Sequence, residues 1–388
     1  MLGRIARAKS PPLWAAALLI GVSHGLYTVV IGVRMAPDSH GYAHWSARLI
    51  ESGFDYPSII AQASGGFPAI LYALFGTLLA GLRLVFGSEW AAALVVLNFG
   101  THVILGLLIV RLVARLTRNA PAAWGALLLY LGCFDLLMWV PFVLSDATFV
   151  LLTFGIFTLA AARILGTSQG WGRVVVPATA AVFYRPTGLV LLPDLAWAFY
   201  LSRSGRKNLR RQAIFTALAV AIPTAAFAFV WVIQEPSRWP LDALSTSFRI
   251  MAAEYSKGEV VSGRPETYHA PPAELIDYVI ISADRFVHFF AIGARDFSVV
   301  HWVVEAAFFL PVYALTAWLG IALGRGRTTF EVRERKVFLA AFGALLSYAA
   351  FHALVQVDFD WRYRTPILPH LILLAAGGLA DLMRRRST

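Results

Sequence analysis

Long runs of apolar residues, separated by short polar segments, recur along the whole chain. Each of the longer runs can form a helix of ~20 residues, the length that crosses the hydrocarbon core of a bilayer. The pattern predicts an all-α, polytopic transmembrane bundle of about ten spans. The predicted spans are 11–34, 90–110, 121–138, 147–162, two short helices within 174–201, 213–233, 299–323, 337–355 and 366–383.

The first long polar segment, 35–89, directly follows the first predicted span. Pro37 has no backbone N–H to donate, so it ends the preceding helix, and Asp38 or Ser39 can cap a new short helix. That helix is expected to lie at the membrane interface and to end at Gly53. Residues 67–86 are apolar, yet a span there would place the basic loop 111–119 outside. They are therefore predicted to form a re-entrant or interface-lying hairpin.

The second long polar segment, 234–297, contains a Gly- and Pro-rich middle and then a periodic stretch. Apolar residues recur there at helical spacing and alternate with charged ones. These apolar residues are Leu275, Val279, Ala283, Phe286 and Phe290. The pattern predicts an amphipathic helix that lies on the membrane.

Composition agrees with a membrane protein of one transmembrane domain, 1–388. Of the 388 residues, 59% are hydrophobic and 14% are charged, against about 25% charged in soluble domains. A β-barrel would need strands that alternate over ~10 residues, and the apolar runs do not alternate. A single cysteine, Cys133, leaves no internal disulfide and no cysteine metal cluster.

The formal net charge of +11 does not indicate nucleic acid as a partner. The basic residues cluster in loops between the apolar runs, where they act as orientation signals. They place the N-terminus and most basic loops in the cytoplasm. Three arginines and several carboxylates fall instead on the external side, at the ends of predicted helices. They are Arg185, Arg362, Arg364, Asp38, Asp146, Asp358 and Asp360.

Charges at membrane depth are costly and are usually paired or functional. A carboxylate beside guanidinium groups suits a reaction that has an anionic leaving group. The carboxylate takes a proton from an acceptor hydroxyl, and the arginines bind a phosphate and stabilise its charge. A sugar linked to a lipid phosphate has such a leaving group.

The order Asp38, Tyr42, Ala47, Leu49 and Gly53 resembles the first external loop of GT-C glycosyltransferases. It is most similar to the branch with protein O-mannosyltransferases and the aminoarabinose transferases of lipid A. Further elements resemble motifs of that branch: Gly-Gly-Phe-Pro at 65–68, Ser145-Asp146, Arg185-Pro186-Thr187-Gly188 and Arg362-Tyr363-Arg364. The chain departs from the pattern at Ser39, where the branch often has a second acid, and at Asp146, where it has Glu.

The resemblance implies that a sugar passes from a polyprenyl-phosphate donor to a hydroxyl of a glycan, lipid or protein acceptor. The reaction would take place at the external face of a bacterial-type inner membrane, with inversion and with Asp38 as general base. Arg362 and Arg364, with Arg185 as a third candidate, would hold the donor phosphate. The resemblance also implies that Asp146 orients the acceptor or binds a divalent cation, although the branch is not generally metal-dependent. His40 and Tyr42, close to Asp38 in the sequence, are further candidates for binding the acceptor or a cation.

Several alternatives remain open from the sequence. Arg185 could snorkel to a helix end, Asp146 could cap helix 147–162, and Arg362 and Arg364 could pair with Asp358 and Asp360. His40 and His44 lie at i and i+4, a spacing that could bind a metal ion together with Asp38.

Two other classes of protein are also compatible with this chain. A polysaccharide polymerase or ligase would also use external arginines. A transporter or flippase is disfavoured, because it would place ionisable groups near the bilayer midplane.

Overall fold

The computed structural model describes residues 10–56, 59, 69–168, 170–202, 257–261, 263–293, 295, 297–354 and 361–387. All regular secondary structure in these residues is helical, and no strand occurs among them. One isolated β-bridge joins Arg34 to Phe142. The predicted span 213–233, the motif at 65–68 and the acids Asp358 and Asp360 lie outside the described residues.

The helices are numbered here in chain order. They are α1 (Leu13–Ile31), α2 (Pro37–Glu51), α3 (Ala73–Phe86), α4 (Trp90–Thr117), α5 (Ala120–Gly132), α6 (Phe134–Leu137), α7 (Asp146–Ile164), α8 (Gly172–Val182), α9 (Leu191–Ser202), α10 (Leu275–His288), α11 (Val299–Gly324), α12 (Val332–Leu354) and α13 (Leu368–Ser387). Short 3-10 turns occupy Ala69–Tyr72, Gly87–Glu89, Pro186–Val190, Pro265–Thr267 and Trp361–Ile367.

Six helical stretches in the described part of the chain are long and apolar enough to cross a membrane. They are α1, the stretch Ala73–Thr117, α7, α11, α12 and Arg362–Arg386. Each overlaps one of the predicted spans. The predicted spans at 121–138 and within 174–201 correspond to shorter helices, α5, α8 and α9. The described part of the chain is therefore all-helical and contains several apolar helices of membrane-spanning length. The total of ten spans stays a prediction.

Helix α13 lies at the centre of the bundle, where it packs against α4, α5, α11 and α12. Its middle turns are fully buried, and they consist largely of Leu, Ile and Ala. Gly378 allows the close approach to α11, because a Cβ built there would lie 2.2 Å from the carbonyl oxygen of Leu315. Small residues at such crossings bring helix backbones together in membrane proteins.

The predicted break within 174–201 is present. The Pro186–Val190 turn separates α8 from α9, and Arg185 precedes it in an extended conformation. Gly188 makes the sharp return possible, since a Cβ there would meet the carbonyl oxygen of Ala181 at 2.2 Å. The backbone N–H of Leu74 donates to the carbonyl of Phe183 at 3.0 Å, so α3 begins beside this break.

Helix α3 has 14 residues, fewer than the ~20 that a span needs. The turn Gly87–Glu89 leads from it directly into α4, and α3 packs on α2 and α4. This short helix fits the predicted hairpin better than a separate span. Helix α10 has the predicted position; Ile281 and Arg285 face inward, and Leu275 and Val279 are exposed.

Charged side chains collect at the two ends of the bundle. Arg118 pairs with Glu331 and Glu334 at one end, where Asp381 also accepts a hydrogen bond from the backbone N–H of Thr329 at 2.8 Å. The opposite end contains Asp38 and is called the Asp38 end below. Helix α7 runs from one end to the other over 19 residues.

Candidate functional site

Asp38 lies in the first turn of α2, and the backbone around it is joined to a distant loop. The Oγ of Ser39 accepts from the N–H of Ala36 at 2.8 Å and donates to the carbonyl of Val143 at 2.8 Å. The N–H of Arg34 donates to Pro141, and that of Val143 donates to Arg34, both at 2.9 Å. These bonds fix the start of α2 against residues 141–143.

The prediction that Asp38 or Ser39 is the N-cap of α2 was wrong. The helix begins at Pro37, and the residue before it is Ala36. Pro suits the first helical position, where its missing N–H would have no intrahelical partner and its φ is already helical. The Asp38 carboxylate is therefore free of a capping bond and available for a side-chain partner.

That partner is Arg362, whose Nη2 donates to Asp38 Oδ2 at 2.8 Å. The side chain of Asp38 is 45% exposed and that of Arg362 is 14% exposed. Arg362 Nε lies 4.0 Å from Asp146 Oδ1. One guanidinium thus stands between a half-exposed carboxylate and a buried one.

Asp146, at the start of α7, forms a buried ion pair with Arg185. Arg185 Nη1 lies 2.5 Å from Asp146 Oδ1, and both side chains are almost fully buried. Arg185 Nη1 also donates to Ser145 Oγ at 3.4 Å. Removing one member of a buried ion pair leaves an uncompensated charge and typically costs 3–5 kcal/mol.

Tyr363 joins the two ion pairs through its ring. The guanidinium carbon of Arg185 lies 5.5 Å from the ring centroid, and that of Arg362 lies 5.3 Å from it. Cations within about 6 Å of an aromatic face are attracted to it. The ring therefore offsets part of the repulsion between two like charges held close together.

Both guanidinium groups stay charged in this setting. Arginine stays protonated in proteins, and the carboxylates of Asp38 and Asp146 lie beside Arg362. Burial lowers the pKa of Arg185, but Asp146 raises it above the ordinary value. The site therefore presents two permanent cations, of which Arg362 has the more accessible partner.

Arg364 lies in a separate, fully enclosed cluster. Its Nε donates to Asp135 Oδ2 at 2.8 Å, and its Nη2 lies 3.3 Å from Glu305 Oε2. The third nitrogen, Nη1, donates to the carbonyl of Ala291. Asp135 and Glu305 were not among the predicted site residues, although a single acid inside each of two apolar runs was a signal that could have indicated them.

The remaining predicted site residues lie on two different faces of α2. The Tyr42 ring is buried and packs 5.0 Å from Phe75 and 5.3 Å from Tyr72, between ring centroids. Burial raises the pKa of Tyr42 well above its ordinary value, so the phenol stays neutral. His40 and His44 are exposed. Their roles towards an acceptor or a cation stay predictions.

No group of three or more His, Cys, Asp or Glu side chains in the described ranges could hold a metal ion. Asp146, one of the predicted cation ligands, is engaged with Arg185 instead. A metal ion at this site therefore has no support from the geometry of the described residues.

The arrangement contains the parts of an acid–base and anion-binding site. Asp38 is a half-exposed carboxylate that can accept a proton, and Arg362 can bind an anion that approaches beside it. Asp146, which is paired with Arg185, lies behind Arg362. Comparison with protein-family models, with curated proteins and with solved structures found no match for this chain.

Proposed function

We propose that the chain is a GT-C-like membrane glycosyltransferase that moves a sugar from a polyprenyl-phosphate donor to an acceptor hydroxyl. The observation that carries the proposal is the contact between Asp38 and Arg362, with Asp146 and Arg185 directly behind it. The transfer requires a base for the acceptor proton and a cation for the leaving phosphate. Because the acceptor attacks from the face opposite the phosphate, the proposal has the Asp38–Arg362 contact open when the substrates bind, with the sugar between the two side chains.

In the proposed reaction, the acceptor oxygen attacks the anomeric carbon while the bond from that carbon to the phosphate oxygen breaks. The acceptor proton passes to Asp38, and the lipid phosphate leaves with the electron pair of the broken bond. Attack from the face opposite the phosphate inverts the anomeric configuration. Arg362 stabilises the charge that develops on the leaving phosphate.

We assign the donor phosphate first to Arg362, because its side chain is the more exposed of the two arginines near Asp38. Arg185 would add charge from a buried position behind it. Arg364 is the weakest of the three candidates, since all three of its guanidinium nitrogens already contact oxygen atoms of the protein.

We further propose that the Asp38 end faces outward from an inner membrane. Basic side chains outnumber acidic ones at the opposite end, where Arg118, Arg333, Arg384 and Arg385 lie. Cytoplasmic loops of membrane proteins carry such an excess of Arg and Lys. A lipid-linked donor would then reach the site from the outer leaflet.

Mass spectrometry of lipids and glycans provides the test. Cells that lack the protein, cells with the wild-type chain and cells with the Asp38→Asn variant would be compared. We expect a polyprenyl-phosphate sugar to accumulate, and one glycan modification to disappear, in the first and third strains. Unchanged lipid-linked sugars in all strains would refute the proposal. Accumulation of a lipid-diphosphate oligosaccharide would favour a polymerase or ligase instead.

A further inference from the structure

Arg364 is two residues from Arg362 in the turn Trp361–Ile367, but it points away from the site and into the protein. Its side chain is 3% exposed. The Nε and Nη2 atoms lie 2.8 and 2.7 Å from Asp135 Oδ2, and the guanidinium carbon lies 4.2 Å from the centroid of Phe309. The planar guanidinium group of Arg364 is thus bound along one edge by Asp135 and covered on one face by the Phe309 ring.

The partners of Arg364 come from three separate parts of the chain. Asp135 belongs to α6, Glu305 to α11, and Ala291 follows the end of α10. Only a guanidinium offers several donors in one rigid plane, so a lysine could not contact all three groups in the same geometry. Arg364 therefore ties the turn Trp361–Ile367 to three helical elements at once.

A short backbone connects this anchor to the site. Thr365 Oγ1 donates to the carbonyl of Arg362, and the intervening Tyr363 ring lies 5.3 Å from His352 of α12. With Arg364 fixed on one side and Tyr363 packed on the other, the backbone that carries Arg362 is held in place. The Arg362 side chain extends from this backbone to Asp38 and Asp146.

We propose that Arg364, Asp135 and Glu305 are positioning residues that hold Arg362 opposite Asp38, and that none of the three contacts the substrate. The effect on sugar transfer rests on the proposed function, whereas the effect on the position of Arg362 does not. Asp135 is the main partner, since it lies within 2.8 Å of two nitrogens, and Glu305 contributes one longer contact.

The first test measures position without any catalysis. Cysteines at both positions of the pair, in an Asp38→Cys/Arg362→Cys variant, would be linked with a short bifunctional thiosulfonate and the joined peptides quantified by mass spectrometry. The native Cys133 is buried and is not expected to compete. Adding Arg364→Met should slow the linking strongly. Linking at an unchanged rate would overturn the proposal.

The second test separates an anchor from a phosphate ligand. Arg364→Lys retains the positive charge but not the planar guanidinium group with its several donors. We therefore expect the rate of sugar transfer to fall about 100-fold, as it does when reacting groups are misplaced. A phosphate ligand that acts through its charge would retain much of its activity as lysine. If Arg364→Lys transferred sugar at close to the wild-type rate, this result would contradict the proposed positioning role of Arg364.

Variants of Glu305 keep the proposal testable if the Arg364 variants do not fold. Glu305→Gln retains an oxygen acceptor of the same shape, whereas Glu305→Ala removes it. We expect Glu305→Gln to recover most of the linking rate and of the transfer rate that Glu305→Ala loses. Equal rates in the two variants would refute the role of Glu305. If no chain transfers sugar, the linking result still decides the position of Arg362.

Discussion

Arg362 and Asp38 are in direct contact at 2.8 Å, although 324 residues separate them along the chain. The pair is only half-enclosed, whereas Asp146 and Arg185 behind it are almost fully buried. The site therefore contains a buried ion pair and, beside it, an ion pair that is partly accessible to solvent. This gradation separates the substitutions that should affect chemistry from those that should affect stability.

We expect Asp38→Asn to lower transfer by about 10²–10⁴-fold, the range that general acid–base groups contribute. The amide cannot take the acceptor proton, yet it retains the size of the side chain and a bond to Arg362. Initial rates with a lipid-phosphate sugar would measure the effect, with thermal unfolding as a check of folding. Glu51→Gln, the same carboxylate-to-amide change at an exposed position of the same helix, is the control. A near wild-type rate for Asp38→Asn would eliminate this base.

Arg362→Ala should weaken donor binding about 10- to 100-fold, because a hydrogen bond to a charged group contributes about 1.5–3 kcal/mol. Titration with a donor analogue that has no transferable sugar would measure this affinity. Arg34→Ala removes another, exposed arginine near the start of α2 and serves as the control. Equal losses in the two variants would indicate a general effect of charge rather than a phosphate site.

The buried pair should behave differently from the exposed one. Asp146→Ala or Arg185→Ala alone is expected to lower the free energy of unfolding by about 3–5 kcal/mol, because each leaves a buried charge without its partner. The double variant Asp146→Leu/Arg185→Met removes both charges, so it should lose less than the sum of the single losses. Thermal unfolding in detergent would measure the coupling. Strict additivity of the two effects would contradict a direct pair.

Ser39→Ala should lower the free energy of unfolding by about 1–3 kcal/mol, since it leaves the buried N–H of Ala36 and carbonyl of Val143 without this hydroxyl. Ser46→Ala is the matched control, because the Ser46 hydroxyl bonds to the carbonyl of Ala43 within the same helix. Comparable losses in the two variants would show that the link from α2 to the 141–143 loop contributes little.

The proposed orientation can be tested by labelling single cysteines with a membrane-impermeant reagent. We expect cysteines at 40 and 44 to react from the outside of intact cells. Cysteines at 118 and 331, at the other end of the bundle, should react only after the membrane is opened. Labelling of both pairs from the same side would refute the orientation, and the reversed pattern would place the Asp38 end in the cytoplasm.

Most of the fold was predictable because long apolar runs have few alternatives to membrane helices. The break before Pro186 was also predictable, since Pro and Gly impose local backbone geometry in any context. The lengths of α5, α8 and α9 were not. A helix end is set by tertiary contacts, such as the packing of Gly188 against Ala181, that leave no periodic signal.

The candidate site was predictable as a layer of charges but not as a set of pairs. Their positions at helix ends predicted that Arg185, Asp146 and Arg362 lie at the same end of the bundle, as they do. The partner of each followed from contacts across the bundle that one sequence does not reveal. Arg364 illustrates this: its sequence neighbours predicted the same role as for Arg362, but its side chain points the other way, towards Asp135 and Glu305.

The hydrogen bond between Ser39 and Val143 joins residues that are 104 positions apart. The partner of Asp38 is Arg362, which comes much later in the chain. Ribosomes deliver these parts in sequence, so α2 emerges well before its supporting loop and long before Arg362. A nascent chain that already contains α12 would hold both Asp38 and Asp146 without the guanidinium that lies between them. Formation of the Asp38–Arg362 pair is therefore among the last events of biosynthesis, and a chain released before Trp361–Ile367 would lack this pair.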